Sequence, residues 1–135
     1  MRYNVGMARK YNILIVDDDK FILDMYRRKF EYDGAKVDVA LGSEETLSKL
    51  RGGAKPDILI LDIIMPGMDG IELLEVIRKE KLVPNSAVIM LSNESATNKI
   101  EKAKSLGIKG YIVKATSIPT EVVEKVWEIV DLKTK

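Results

Sequence analysis

Short apolar runs and amphipathic stretches alternate along this chain, and that alternation leaves few folds open. Ile13–Val16, Ile58–Leu61, Ala87–Leu91 and Tyr111–Val113 are each too short for a helix and rich in Ile, Val or Leu. Continuous runs of this kind read as strands buried on both faces. Lys36-Val37-Asp38-Val39-Ala40 alternates polar with apolar instead, as a strand at a sheet edge does.

Helical patterns with end signals fill the gaps. Asp19 caps a stretch carrying Phe21, Ile22, Met25 and Tyr26, which Gly34 ends. Ser43 is the expected cap of the next, with Glu44 and Glu45 in its first turn and Gly52 beyond its end. Asp69 and Glu72 have capping-box spacing ahead of Leu73, Leu74 and Ile77. A polar helix is expected from about Ser95 to Leu106, stopped by Gly107. The last starts near Pro119 and carries Val122, Val123, Val126, Trp127, Ile129 and Val130. Core packing is the expected role of that stripe, with a partner or dimer surface as the sharper alternative.

Five strands each followed by one helix require parallel pairing, and right-handed crossovers lead to a doubly wound α/β layer. An edge-like second strand and a short fifth strand suit the flavodoxin-like order 2-1-3-4-5. At 135 residues the chain holds one such domain, expected over 11–135 after a flexible lead-in at 1–10, in which Met7 is an alternative start. No output domain of another kind is expected beside it.

Composition narrows the chemistry. Without Cys or His, the chain itself can supply no thiol nucleophile, no Cys/His zinc site and no Ser-His-Asp triad. With 22 basic against 21 acidic side chains, bulk positive charge cannot drive nucleic-acid binding. No apolar run approaches a membrane span and the first residues lack a signal peptide's apolar stretch, so a cytoplasmic location is expected. There is no Gly-rich nucleotide motif; Gly52-Gly53 falls at the wrong end of the sheet, and Asn93-Glu94-Ser95 is a chance glycosylation sequon.

In a doubly wound sheet, ligands bind outside the carboxyl ends of the strands, so the residues just after each run matter most. Strand one runs into Asp17-Asp18-Asp19, strand three into Asp62, strand four into Ser92 and strand five into Lys114. Each alone is an ordinary residue: Asp19 reads as a helix cap, Ser92 as a cap, Lys114 as a surface charge. Together, four strand ends deliver reactive groups to one crevice. Crowded carboxylates repel unless a cation neutralises them, and all-oxygen ligation suits Mg²⁺. A carboxylate there can attack a phosphoryl group, with a metal, a Lys and a hydroxyl balancing the spread charge. Asp62, on a central strand end, is the best nucleophile candidate.

With these strand ends in place, the sequence resembles the receiver domain of two-component response regulators, including the single-domain chemotaxis type. The motifs are Ile13-Leu14-Ile15-Val16-Asp17-Asp18-Asp19, the stretch Pro56–Gly70 with Asp62-Ile63-Ile64-Met65-Pro66-Gly67-Met68-Asp69-Gly70, then Val88–Ser92 and Gly110–Lys114. The resemblance spans roughly Tyr11 to Asp131. It implies that Asp62 is the phosphoacceptor and that Asp18, Asp62 and the Ile64 backbone carbonyl hold Mg²⁺, with Asp17 joining directly or through water. It further implies that Ser92 and Lys114 bind the phosphoryl oxygens and that Tyr111 is a switch residue following Ser92. The donor would be a phosphohistidine on a sensor kinase or phosphotransfer protein, which supplies the histidine this chain lacks. Output would pass to a protein partner, or a second copy, through the surface of helix four, strand five and helix five.

The sequence departs from the family pattern at Ala115, where proline often follows the lysine in a cis bond; a cis bond before a non-proline residue costs about 2.5–4 kcal/mol. Ser92 stands where threonine is also common, and Asn93 where a small residue is frequent, narrowing access. Ile64 and Glu94 flank the phosphoryl position, and a bulky Ile64 is expected to screen attacking water. Two alternatives compete. A receiver-like module working without phosphorylation has no need of Asp17, Asp18, Asp62, Ser92 and Lys114. An aspartate-nucleophile phosphatase of the haloacid-dehalogenase type needs a second Asp two residues after the nucleophile, where this chain has Ile64.

Overall fold

A computed structural model describes residues 10–93, 97–114 and 117–132. Five strands and five helices alternate through them: β1 Asn12–Asp17, α1 Lys20–Tyr32, β2 Lys36–Leu41, α2 Gly42–Arg51, β3 Ile58–Leu61, α3 Gly70–Lys79, β4 Ala87–Ser92, α4 Thr97–Ser105, β5 Gly110–Val113 and α5 Pro119–Leu132. The strands form one parallel sheet in the order β2-β1-β3-β4-β5, as the alternation of the sequence predicts. The lead-in Met1–Arg9, the start of the fourth helix at Ser95, and Glu94 and Ala115 lie outside the described residues.

The period of a strand divides the core in two. Ile13, Ile15, Ile58, Ile60, Ile89 and Leu91 face α1 and α5, while Leu14, Val16, Leu59, Leu61, Val88 and Met90 face α2, α3 and α4. Every residue of β3 and β4 is buried, whereas β2 alternates along an exposed edge. Trp127 is fully buried in the first core, stacks on Tyr11 at 5.9 Å, meets Phe30 edge-on at 5.4 Å, and donates from Nε1 to Asp33 Oδ2 at 2.8 Å. With Val122, Val123, Val126 and Val130 buried beside it, this stripe of α5 is core.

One local expectation is corrected. Ser43 does not cap α2: Leu41 occupies the N-cap position without a side-chain bond, and the Ser43 hydroxyl donates to the Met68 carbonyl at 2.8 Å. The sequence could not show that a backbone acceptor from a loop 25 residues away would claim this hydroxyl. Phe21 is 88 % exposed, because the inward stripe of α1 is Leu23, Tyr26 and Phe30. The Asp19 cap accepts from Phe21 N and Ile22 N, and the Asp69–Glu72 capping box forms in both directions.

Candidate functional site

Parallel pairing carries the strand ends to one rim. Val16 pairs with Leu61 and Leu61 with Met90, so Asp17 and Asp62 stand at the same level of neighbouring strands. The Asp62 amide donates to the Val16 carbonyl at 3.0 Å, extending the ladder by one bond. Ser92 closes β4 next door, fully buried, and pairs with Val113, after which the chain delivers Lys114.

Asp17, Asp18 and Asp62 bring one carboxylate oxygen each within 4.8 Å of the others. Asp17 and Asp62 are buried; Asp18 is exposed at the mouth. Opposite them, Lys114 Nζ donates to Asp17 Oδ2 at 3.3 Å and lies 4.0 Å from Asp62 Oδ1. The Asp19 amide donates to the other Asp17 oxygen at 3.0 Å, orienting that carboxylate.

The electrostatics follow from this crowding. Burial first, then the charges of Asp17 and Asp18, push the Asp62 carboxyl up to about 6 against the pull of Lys114. Burial likewise raises Asp17, against the pull of Lys114 and the bond from the Asp19 amide. Among the described residues one ammonium faces three carboxylates, too little cation to neutralise them. Hard oxygen donors in this number suit Mg²⁺, which keeps several waters and takes few protein ligands.

Two features of the site have no obvious mark in the sequence. Gly70 lies so close to Asp62 that a Cβ there would stand 2.0 Å from the Asp62 carbonyl oxygen. Its own amide donates to the Ile63 carbonyl at 2.8 Å, seating the first residue of α3 on the chain just after Asp62. Only glycine allows that approach. The Ser43–Met68 bond fastens the same β3–α3 loop from the other side. Ile64, between them, is 52 % exposed, and Tyr111 is half-buried on edge strand β5 against the second core.

The family profile described as the response regulator receiver domain matches residues 13–126, which takes in all these positions. The chain belongs to that family. It is 32 % identical over 115 residues to the response regulator SaeR of Staphylococcus aureus, covering 85 % of this chain and 48 % of SaeR. The chain therefore spans about half the length, or less, of the curated relatives it matches. Among solved structures, a CheY-like receiver domain protein from Methanospirillum hungatei is 31 % identical with a TM-score of 0.81, covering 93 % of this chain and 97 % of that one. The chemotaxis protein CheY4 of Vibrio cholerae is 27 % identical with a TM-score of 0.79, covering 89 % and 98 %. Receiver domains are signalling phosphoacceptors that work with histidine kinases or phosphotransfer proteins. Among the described residues no helix is long and apolar enough to cross a membrane.

Proposed function

We propose that this receiver domain takes a phosphoryl group from a phosphohistidine donor onto Asp62, with Mg²⁺ bound by Asp18, Asp62 and the Ile64 carbonyl and steadied by Asp17. The observation that carries this reading is the position of Asp62, buried between two carboxylates and the Lys114 ammonium 4.0 Å away.

When bound, the metal neutralises the carboxylate cluster and the oxygens of the incoming group. This chain's residues do the rest. An Asp62 oxygen attacks in line, the bond from phosphorus to the donor nitrogen breaks, and the imidazole leaves with its electron pair. Lys114 leaves its contact with Asp17 for a phosphoryl oxygen, and Ser92 donates to another. Burial keeps water from competing with the carboxylate.

Switching is a shift of population. A phosphoryl group favours only conformations that contact it differently, here those in which Ser92 moves toward it and Tyr111 follows. That repacks the face of α4, β5 and α5, through which the domain addresses a protein partner or a second copy, in the cytoplasm. Any turnover is limited to uptake from small donors and loss of the group to water.

Incubation with acetyl phosphate and Mg²⁺, read by intact mass, tests the assignment. The wild type should gain one phosphoryl group and Asp62→Ala none. No gain in the wild type, or an equal gain in the variant, refutes it.

A further inference from the structure

We propose that the opposite end of the sheet carries a second binding site, for a small amphipathic anion with an apolar or aromatic body and one sulfonate- or carboxylate-like head. Two cavities of about 700 and 300 Å³ open there and share Ala54, Lys55 and Pro56, so together they form one groove across the amino ends of the strands. The larger falls within the size range of small-molecule pockets. Its floor is buried and apolar, made by Leu50, Ile58, Ala87 and Val130.

The charge on its rim leans positive, three lysines against Asp57 and Asp38. Lys55 and Lys81 line the larger cavity and Lys36 the smaller. Lys55 and Lys81 are exposed and make no ion pair with a described residue. Of the two carboxylates there, Asp38 is paired with Lys49 at 2.9 Å, while Asp57 accepts the Asn12 amide at 2.8 Å and keeps its charge, leaving the lysines in excess. An apolar floor beneath unpaired ammonium groups matches an apolar body with an anionic head.

The walls are preformed and strained. Lys81 and Val83 hold φ values of 58° and 39°, a left-handed backbone that a β-branched residue before Pro84 rarely adopts. The Ser86 hydroxyl donates to the Pro56 carbonyl, fastening the α3–β4 loop to the α2–β3 loop across the groove. Strain held in place by such ties clusters at ligand clamps. This groove stands apart from the phosphoacceptor: Asp62 lies four residues beyond Ile58, about 13 Å of strand at about 3.3 Å per residue.

The test is titration of the ¹⁵N-labelled full chain with 8-anilinonaphthalene-1-sulfonate, followed by amide shifts. The probe should move Tyr11, Leu82 and Ser86 saturably while leaving the amides around Asp62 in place. Lys55→Glu combined with Lys81→Glu should weaken it about tenfold, and uncharged N-phenyl-1-naphthylamine should bind at least about tenfold more weakly than the sulfonate. Ala54→Phe, which fills the passage shared by the two cavities, should reduce binding by a route independent of charge. Retained dispersion of the spectrum shows that each variant is folded. Shifts that map elsewhere, a charge-reversed variant that binds within about twofold of wild type, or equal binding of the uncharged probe overturn the proposal. No shift in the full chain, the result expected if residues 1–9 or a second copy already fill the groove, overturns it too.

Discussion

Lys114 hydrogen-bonds Asp17 at 3.3 Å and stands 4.0 Å from Asp62, so its ammonium is bonded to the neighbour of Asp62 and pairs with Asp62 only at the longer distance. On the proposed function it is thereby available to an incoming phosphoryl group without first uncovering Asp62. Lys114→Ala should slow uptake from acetyl phosphate about 10²-fold, the size of effect expected for removing a preorganised charge. Without metal it should also raise the Asp62 pKa above about 6, since Lys114 lowers it. Intact mass over time and a carboxyl NMR titration read the two effects separately.

The Asp62 carboxyl titrates near 6 in the folded chain and near 3.8 when unfolded. The folded state therefore holds this proton more tightly, and the stability it contributes is complete below pH 3.8 and lost as pH rises through about 6. Asp62→Asn, which stays neutral, should stabilise the metal-free protein at pH 8 by up to about 3 kcal/mol, at 1.36 kcal/mol per pKa unit. The gain should shrink toward zero near pH 4. Urea unfolding followed by the fluorescence of the single tryptophan, Trp127, measures it in buried surroundings remote from the change.

Removing the exposed member of the acidic cluster should separate binding from folding. Asp18→Asn is expected to weaken Mg²⁺ about 10- to 100-fold by calorimetry, the usual loss when one oxygen ligand of few is removed, with thermal stability nearly unchanged without metal.

Gly70→Ala puts a methyl group where the Asp62 carbonyl oxygen already is. The backbone of α3 or of the acceptor loop must shift, at a cost of about 2–4 kcal/mol in urea unfolding. Phosphoryl uptake should fall by more than that loss of folded protein explains, because the displaced residue is Asp62, the proposed acceptor.

Ile64 is half open to solvent two residues after Asp62, and on the proposed function its bulky apolar side chain would screen attacking water. Ile64→Asn should shorten the lifetime of the aspartyl phosphate about threefold or more, as the decay of the phosphorylated mass shows.

The sheet was legible because β3 and β4 are buried on every residue, which leaves an unbroken apolar signature, and because Asp19 and Asp69 cap their helices by local bonds. The site was legible for a related reason: a parallel sheet carries strand ends to one rim, so Asp17, Asp62, Ser92 and Lys114 could be placed by where the apolar runs stop. The features that escaped depend on distant partners. Ser43 looked like a cap until the Met68 carbonyl took its hydroxyl, and the closeness of Gly70 to Asp62 exists only once α3 is folded back on β3. Phe21 lies on α1 as expected, but apolarity alone does not say which way a helix is turned, and it faces solvent.

The ladder that sets Asp17 level with Asp62 gives the site a use as a gauge. A slip of β1 against β3 by one residue would move the carboxylate of Asp17 along the rim by about 3.3 Å and turn its neighbours to the wrong core. Uptake of phosphate would stop before the chain had lost much helix. If Asp62 takes the phosphoryl group as proposed, labelling would count molecules whose strands are aligned, a stricter census than any that counts molecules merely folded.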